Sequence, residues 1–277
     1  MSENQLAIVA GGGELSRVII ESACQKGWKV TVFAIGDLNI EKNQSMSLIE
    51  MNRLDIGKIL KILKSQKIKN ICMVGYIPRP NSLRDCLRIQ YLNLEILGIL
   101  LKSIGILRGG DASLFKKINS LLEKRGYKII GASEIAPNLT LKGGLQSSKK
   151  VSKVEFENIK KAKQCADMTG YLDVGQAVVV KNGRVLAIEA AEGTDAMLKR
   201  VACLEGASKR RGGVILKSAQ INQDERVDMP TIGPNTIKNI VNANLSGIAI
   251  TADNVIVLEF QRVIEMIEDN NLYFMVI

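Results

Sequence analysis

The stretch from Gln5 to Ile35, QLAIVAGGGELSRVIIESACQKGWKVTVFAI, decides how the first half of the chain folds. Gln5 to Ala10 is a short apolar run that ends in Gly11-Gly12-Gly13. Leu15, Val18, Ile19 and Ala23 then recur at helical spacing, and Trp28 to Ala34 reads as a second strand. Strands that alternate with helices imply a parallel sheet covered on both faces. The alternation continues with a short strand at Leu48 to Met51, a helix at Ile56 to Leu63 and a buried strand at Asn70 to Gly75. Asp111 to Arg125 reads as a helix and Tyr127 to Gly131 as a strand.

Composition shifts between Ser133 and Lys150, which hold Pro137, two adjacent glycines and an SSKK run. The expected division is a Rossmann-like domain over residues 1–134 and a mixed α/β domain over 135–277. In the second half, Asn182-Gly183 between Gln176–Val180 and Arg184–Ala190 is a strong hairpin signal. A second hairpin is expected from Ile248–Thr251 and Val255–Leu258 around Asp253. Helical patterns occupy Val154–Met168, Ala196–Leu204, Thr236–Ala243 and Glu259–Ile267, and the final LYFMVI reads as a buried strand.

Composition bounds the chemistry. The chain has 277 residues, enough for one large domain or two ordinary ones, and 46% of them are apolar, which argues against disorder. The net charge of +10 attracts polyanions such as nucleic acid, anionic lipid or a phosphorylated substrate. Five cysteines without a CxxC pair argue against a disulfide framework or thiolate zinc site, and for a reducing cytoplasm. There is no histidine, so no Ser-His or Cys-His couple can operate and no imidazole can bind zinc. A metal would be held by oxygen ligands, which favours magnesium or manganese. The N-terminus enters a strand-like run at once, without the pattern of a signal peptide.

Gly11, Gly12 and Gly13 stand between a strand and a helix, where backbone N–H groups can meet an anion. Ser16 occupies the place of the third glycine in the dinucleotide pattern. Asp37 stands where a ribose-binding acid would. Gly110 and Asp111 open another helix, and there capping alone is a sufficient account. The run Glu189 to Asp195, EAAEGTD, crowds three acids and a hydroxyl at the exit of a strand. Glu192 and Asp195 are candidate metal ligands there, with Gly193 and Thr194 beside a phosphate; ordinary helix capping explains the same residues. In ERVDMPTIGP, Glu225 to Pro234, a stiff loop would present Asp228 beside Arg226 and Lys217, with Thr231 following. Two cations near one acid keep it ionised and can clamp a diphosphate; a structural Asp-Arg turn fits the same residues.

The apolar stretch Tyr91 to Leu107 is too short to span a bilayer and is interrupted by Glu95 and Lys102. Flanking Arg84, Arg88 and Arg108 suit a helix lying on an anionic bilayer, although the pattern fits a core helix better.

Taken in order, IVAGGGELSRVIIESA, VGYIPRP, GGDASLFKKI, GQAVVVKNGRVLAIEAAEGTDAML and RVDMPTIGPNTI resemble the LpxI family. These are the UDP-2,3-diacylglucosamine pyrophosphatases of lipid A synthesis. The resemblance covers nearly the whole chain, and EGTDAML and RVDMPTIG are its most specific parts. It implies a cytoplasmic hydrolase, with Mg2+ or Mn2+, that splits UDP-2,3-diacylglucosamine into UMP and 2,3-diacylglucosamine 1-phosphate (lipid X). It implies two domains enclosing the lipid product, with water directed to the glucosamine-side phosphorus. It also implies that Asp228 is the essential acid, with Thr194 and Asp195 as further site residues; from the two acid-rich segments themselves, Asp228 with Glu192 or Asp195 is expected to hold the ion or orient its water. Peripheral contact with an anionic membrane and a homodimer are compatible with this reading. Two other functions stand against it. A nicotinamide-dependent oxidoreductase would use the first domain, but the glycine pattern is incomplete. A nucleic-acid binder would use the charge, but the basic residues are dispersed and aromatics are few.

Overall fold

The computed structural model describes residues 4–35, 38, 40, 44–52, 54–75, 119–120, 122–205, 210–221 and 223–277. Asp37, Gly110, Asp111 and the stretch Tyr91 to Leu107 lie outside the described residues. The chain divides into two compact units, Met1–Pro137 with Arg226–Asp228, and Asn138–Glu225 with Met229–Ile277.

In the first unit β1 (Gln5–Ala10), β2 (Lys29–Ile35), β3 (Met46–Met51), β4 (Asn70–Val74) and β5 (Lys128–Ile129) form one sheet in the order β3-β2-β1-β4-β5. Every pairing in it is parallel. β1, β2 and β4 are mostly apolar because both faces are covered, whereas the edge strand β3 carries exposed Ser47 and Glu50. Ala7, Val9, Phe33, Ile35, Ile71 and Met73 share one core with Ile59 and Leu63 of α2 (Ile56–Ser65). Leu6, Ile8, Val30 and Val32 face the other way and are buried, as are Ile19, Ile20 and Ala23 of α1 (Glu14–Gln25). Helix α2 starts where the Asp55 side chain accepts from the Lys58 N–H at 2.9 Å. The unit closes with the short α3 (Ala132–Ile135), where Glu134 accepts from the Gly131 N–H at 2.8 Å.

The strand order reverses between β1 and β4, and open parallel sheets of this kind bind ligands at such a point. Here the two strand ends are tied together. The Gly11 N–H donates to the Val74 carbonyl at 2.8 Å. The fully buried Ser16 hydroxyl, in the third-glycine place, sits 2.8 Å from the Gly11 carbonyl and 3.3 Å from that of Val74. Gly75 has φ +81°, and a Cβ there would lie 2.2 Å from Ser16 Oγ.

In the second unit β6 (Gly144–Leu145), β7 (Ala177–Lys181), β8 (Arg184–Ile188), β9 (Val214–Lys217), β11 (Gly247–Ile250) and β13 (Tyr273–Val276) form a mixed sheet in the order β6-β13-β11-β9-β7-β8. Side chains alternate across its central strands, and the β7–β8 register shifts between Val179 and Val180. Val179, Ile215, Ile248 and Phe274 pack with α5 (Gly193–Glu205), α6 (Pro234–Asn242) and α7 (Phe260–Asp269). Val178, Val180, Leu216 and Tyr273 pack with Ile159 and Ala162 of α4 (Lys153–Gly170). The β7–β8 hairpin forms as expected, with Asn182 and Gly183 both at positive φ, 50° and 71°.

The second expected hairpin does not form. β11 pairs with β9 and β13, while β12 (Ile256–Val257) leaves that sheet and pairs in parallel with β10 (Thr231–Ile232). The chain does bend at Asp253, φ 64°, but the strands on either side of it pair with other strands. Gly233 precedes α6 (Pro234–Asn242). Its φ of −164° is extended backbone, so the start of α6 depends on Pro234 at the first helical position rather than on glycine freedom.

Candidate active site

Strands β8, β9 and β11 run the same way, so Glu189, Lys217 and Thr251 all stand at one edge of the second sheet, at or just after their strand ends. β7 is antiparallel to β9 and brings Gly175 and Gln176 to that edge. Glu189, Lys217, Ser218 and Thr251 are all buried there, an unusual density of polar groups for a sheet with apolar faces.

Glu189 and Lys217 form a chain of contacts with Thr194 of α5 and the backbone of Gln176. The Thr194 hydroxyl donates to Glu189 Oε1 at 2.9 Å and accepts from Lys217 Nζ. Lys217 Nζ lies 3.9 Å from Glu189 Oε2, with side-chain exposures of 7% and 10%. The Gln176 N–H donates to Glu189 Oε2 at 3.2 Å. Gly175 must be glycine for this to form: its φ is +58°, and a Cβ would lie 2.0 Å from the Glu189 carbonyl oxygen. A positive charge is thereby held in a dry place, with a carboxylate to balance it.

The other acids of EAAEGTD point to different partners. Glu192 is exposed and accepts from Arg200 at 2.7 Å; that guanidinium holds its carboxyl below the usual range. Asp195, in the first turn of α5, accepts from Asn235 at 2.8 Å and Asn239 at 2.9 Å, which ties α5 to α6. Among the described residues no group of three Cys, Asp or Glu side chains gathers as a metal cage. Mg2+, however, keeps several waters and needs only one or two carboxylates when phosphate oxygens supply the rest.

The RVDMPTIGP stretch is divided between the units. Arg226, Val227 and Asp228 belong to the first, and Met229 onward to the second. Arg226 donates to Glu123 at 2.6 Å, and Val227 packs against the core of the first sheet. The Arg226 backbone passes so close to Gly131 that a Cβ there would lie 3.3 Å from Arg226 Cα. Asp228 is half-buried, and Thr231 opens β10. Gly12 and Gly13 leave open space around their α-carbons, whereas the Gly11 N–H is committed to Val74. Sequence reasoning noted Glu189 among the acids but did not single it out. Nor did it find Gln176 or Thr251. The one signal was an acid directly after an apolar strand, paired with a lysine at the end of another.

Fold and site define a two-unit α/β protein, with a doubly wound parallel unit and a mixed-sheet unit that buries a lysine–glutamate pair where its strands β8 and β9 end. The LpxI N-terminal domain matches residues 5–139 and the LpxI C-terminal domain residues 142–275. The chain belongs to the LpxI family. It is 34% identical over 276 residues to the UDP-2,3-diacylglucosamine pyrophosphatase LpxI of Caulobacter vibrioides, covering 97% of this chain and 96% of that protein. A solved structure of a DNA/pantothenate metabolism flavoprotein from Streptococcus pneumoniae matches 34% of this chain and 52% of its own at 17% identity. Its TM-score of 0.23 is too low to inform the fold.

Proposed function

We propose that the protein hydrolyses the pyrophosphate of UDP-2,3-diacylglucosamine, releasing UMP and 2,3-diacylglucosamine 1-phosphate in lipid A biosynthesis. The observation that carries this is family membership across both halves of the chain, with a relative of that named activity at 34% identity over nearly its full length. The chemistry is compatible with a chain that has no histidine. A water oxygen bonds to one phosphorus, the bridging P–O bond breaks, and the departing phosphate takes the bridging oxygen with its electron pair. What the protein must supply is charge compensation and an aligned water.

Lys217, held by Thr194 and Glu189, is the cation assigned to the phosphate oxygens. Gly193, Thr194, Thr231 and the N–H groups of Gly12 and Gly13 are assigned to substrate binding, with Gly11, Gly110, Asp111 and Asp195 as further members of that set. Asp228 is assigned to orient the water and to act as the carboxylate toward a divalent ion. Mg2+ or Mn2+, when bound, would offset charge on the pyrophosphate oxygens. Arg226 is assigned to offset phosphate charge, and its Glu123 partner restricts the positions it can take.

No helix of the described residues is long and apolar enough to cross a membrane. Peripheral contact with an anionic leaflet forms part of the proposal. It is supported by the net charge of +10 and by Met168, Tyr171 and Leu172, which are 73%, 67% and 75% exposed at the end of α4.

The test is UMP release from UDP-2,3-diacylglucosamine by purified protein. Wild-type turnover with Asp228→Ala reduced about 100-fold or more, in folded protein, is expected. Equal turnover in the two would remove Asp228 from the chemistry. Hydrolysis in 18O-water, read by mass in each product, identifies the attacked phosphorus; label in the sugar phosphate is the expected result.

A further inference from the structure

We infer that Glu189 is a positioning residue for this hydrolysis: it locks the Thr194 hydroxyl and the Lys217 ammonium into one unit at the edge of the second sheet. The inference rests on the functional reading above.

Glu189 is fixed from three sides. Gln176 donates its N–H to Oε2, Thr194 donates to Oε1, and Gly175 admits the Glu189 carbonyl at a distance no side chain would allow. The lysine meets the carboxylate mainly through the hydroxyl. At 3.9 Å the direct ion pair is loose, whereas Thr194 accepts from Lys217 and gives its single proton to Glu189. Each member therefore sets the direction of the next. A hydroxyl without Glu189 could turn its proton elsewhere, and the ammonium would lose its orienting acceptor.

A buried ion pair that only stabilises is a poor choice, because apolar side chains of equal volume do as well or better. This pair occupies the edge where parallel strands end, beside the buried polar groups of Ser218 and Thr251. An ammonium already frozen there can meet charge that grows on a departing phosphate without reorganising. Removing Glu189 should then harm the rate more than it harms substrate affinity.

The experiment uses the full chain as wild type, Lys217→Met, Glu189→Gln and the double variant, each assayed for UMP release and for thermal midpoint. Lys217→Met is expected to lose about 100- to 1,000-fold in kcat. It should also lower the midpoint, because a carboxylate is left buried without its counter-charge. Glu189→Gln is expected to lose about 10- to 100-fold in kcat with KM within about threefold of wild type. The double variant should regain midpoint relative to Lys217→Met but no turnover. Glu189→Asp, which keeps the charge on a shorter stem, should retain more kcat than Glu189→Gln. Wild-type kcat in Glu189→Gln would overturn the inference, as would a double variant that regains turnover together with midpoint. If Glu189→Gln does not fold, unchanged kcat in Glu189→Asp overturns it and reduced kcat at constant KM supports it. Failure of wild type itself to release UMP refutes the functional reading, and the assignment of Glu189 to this reaction with it.

Discussion

The turn after β1 and the edge beyond β8 and β9 are alike in sequence: an apolar strand, a glycine, a hydroxyl residue and a helix. They differ in what the buried polar group meets. In the first unit Ser16 meets backbone carbonyls of Gly11 and Val74, so its hydroxyl is a bolt between two strand ends. In the second, Thr194 meets the charges of Glu189 and Lys217. A hydroxyl on backbone carbonyls completes the fold: it gives the Gly11 carbonyl a donor and adds a second, longer contact to the Val74 carbonyl, which already accepts from the Gly11 N–H. A hydroxyl between two buried charges fixes an electric field, and stability alone does not require that arrangement.

Substitutions at the two glycines that admit these contacts test the difference most severely. Gly175→Ala drives a Cβ to 2.0 Å from the Glu189 carbonyl oxygen. It is expected to cost about 3 kcal/mol or more of stability. Turnover per folded molecule, from active-site-normalised assays, should fall about 100-fold as well. Gly75→Ala meets Ser16 Oγ at 2.2 Å and forces a side chain into φ +81°. About 2–3 kcal/mol should be lost in urea titration, with kcat per folded molecule preserved and any loss of activity confined to KM, since the new Cβ also lies 2.9 Å from the Gly11 and Gly12 carbonyls. If Gly75→Ala abolished turnover in folded protein, the contrast between bolt and field would break.

Ser16→Ala should have a smaller effect, about 1–3 kcal/mol by urea unfolding, since one buried carbonyl loses its donor. Turnover should remain within about twofold of wild type. Combining it with Gly75→Ala should cost less than the sum, because the nearest atom to the new Cβ has gone.

The smallest expected effect concerns the dryness of the first sheet. Burial, with a contribution from the Glu134 carboxylate, pushes the Cys72 thiol up to about 12. The unfolded chain ionises this thiol near pH 8.5, so its contribution to stability is whole below that pH. It declines as the pH rises toward 12. Urea midpoints measured from pH 8 to 10.5 should fall less steeply in Cys72→Ala than in wild type. Equal slopes would mean that water reaches Cys72.

Much of this was legible before any coordinates. Mostly apolar runs of five to seven residues between glycines and helical repeats marked β1, β2 and β4, because a strand buried on both faces accepts few polar side chains. Asn182-Gly183 marked the β7–β8 hairpin, since few other pairs tolerate two consecutive positive φ values. RVDMPTIGP and EGTDAML were specific enough to carry the family. The departure of β12 from β11 was not legible, because a turn at Asp253 says nothing of which neighbour each flanking strand will choose. Nor was the partner of Arg226, which lies 103 residues away at Glu123.

Sequence by itself determined the class of fold and the family, since both depend on local periodicity and on residues adjacent along the chain. Only the tertiary structure decided which of three neighbouring acids matters to Lys217. Glu189, Glu192 and Asp195 are equivalent on paper, but strand direction and helix packing aim them at Lys217, Arg200 and two asparagines respectively. An electrostatic partner is set by distance and burial in space, and neither is written in the order of residues.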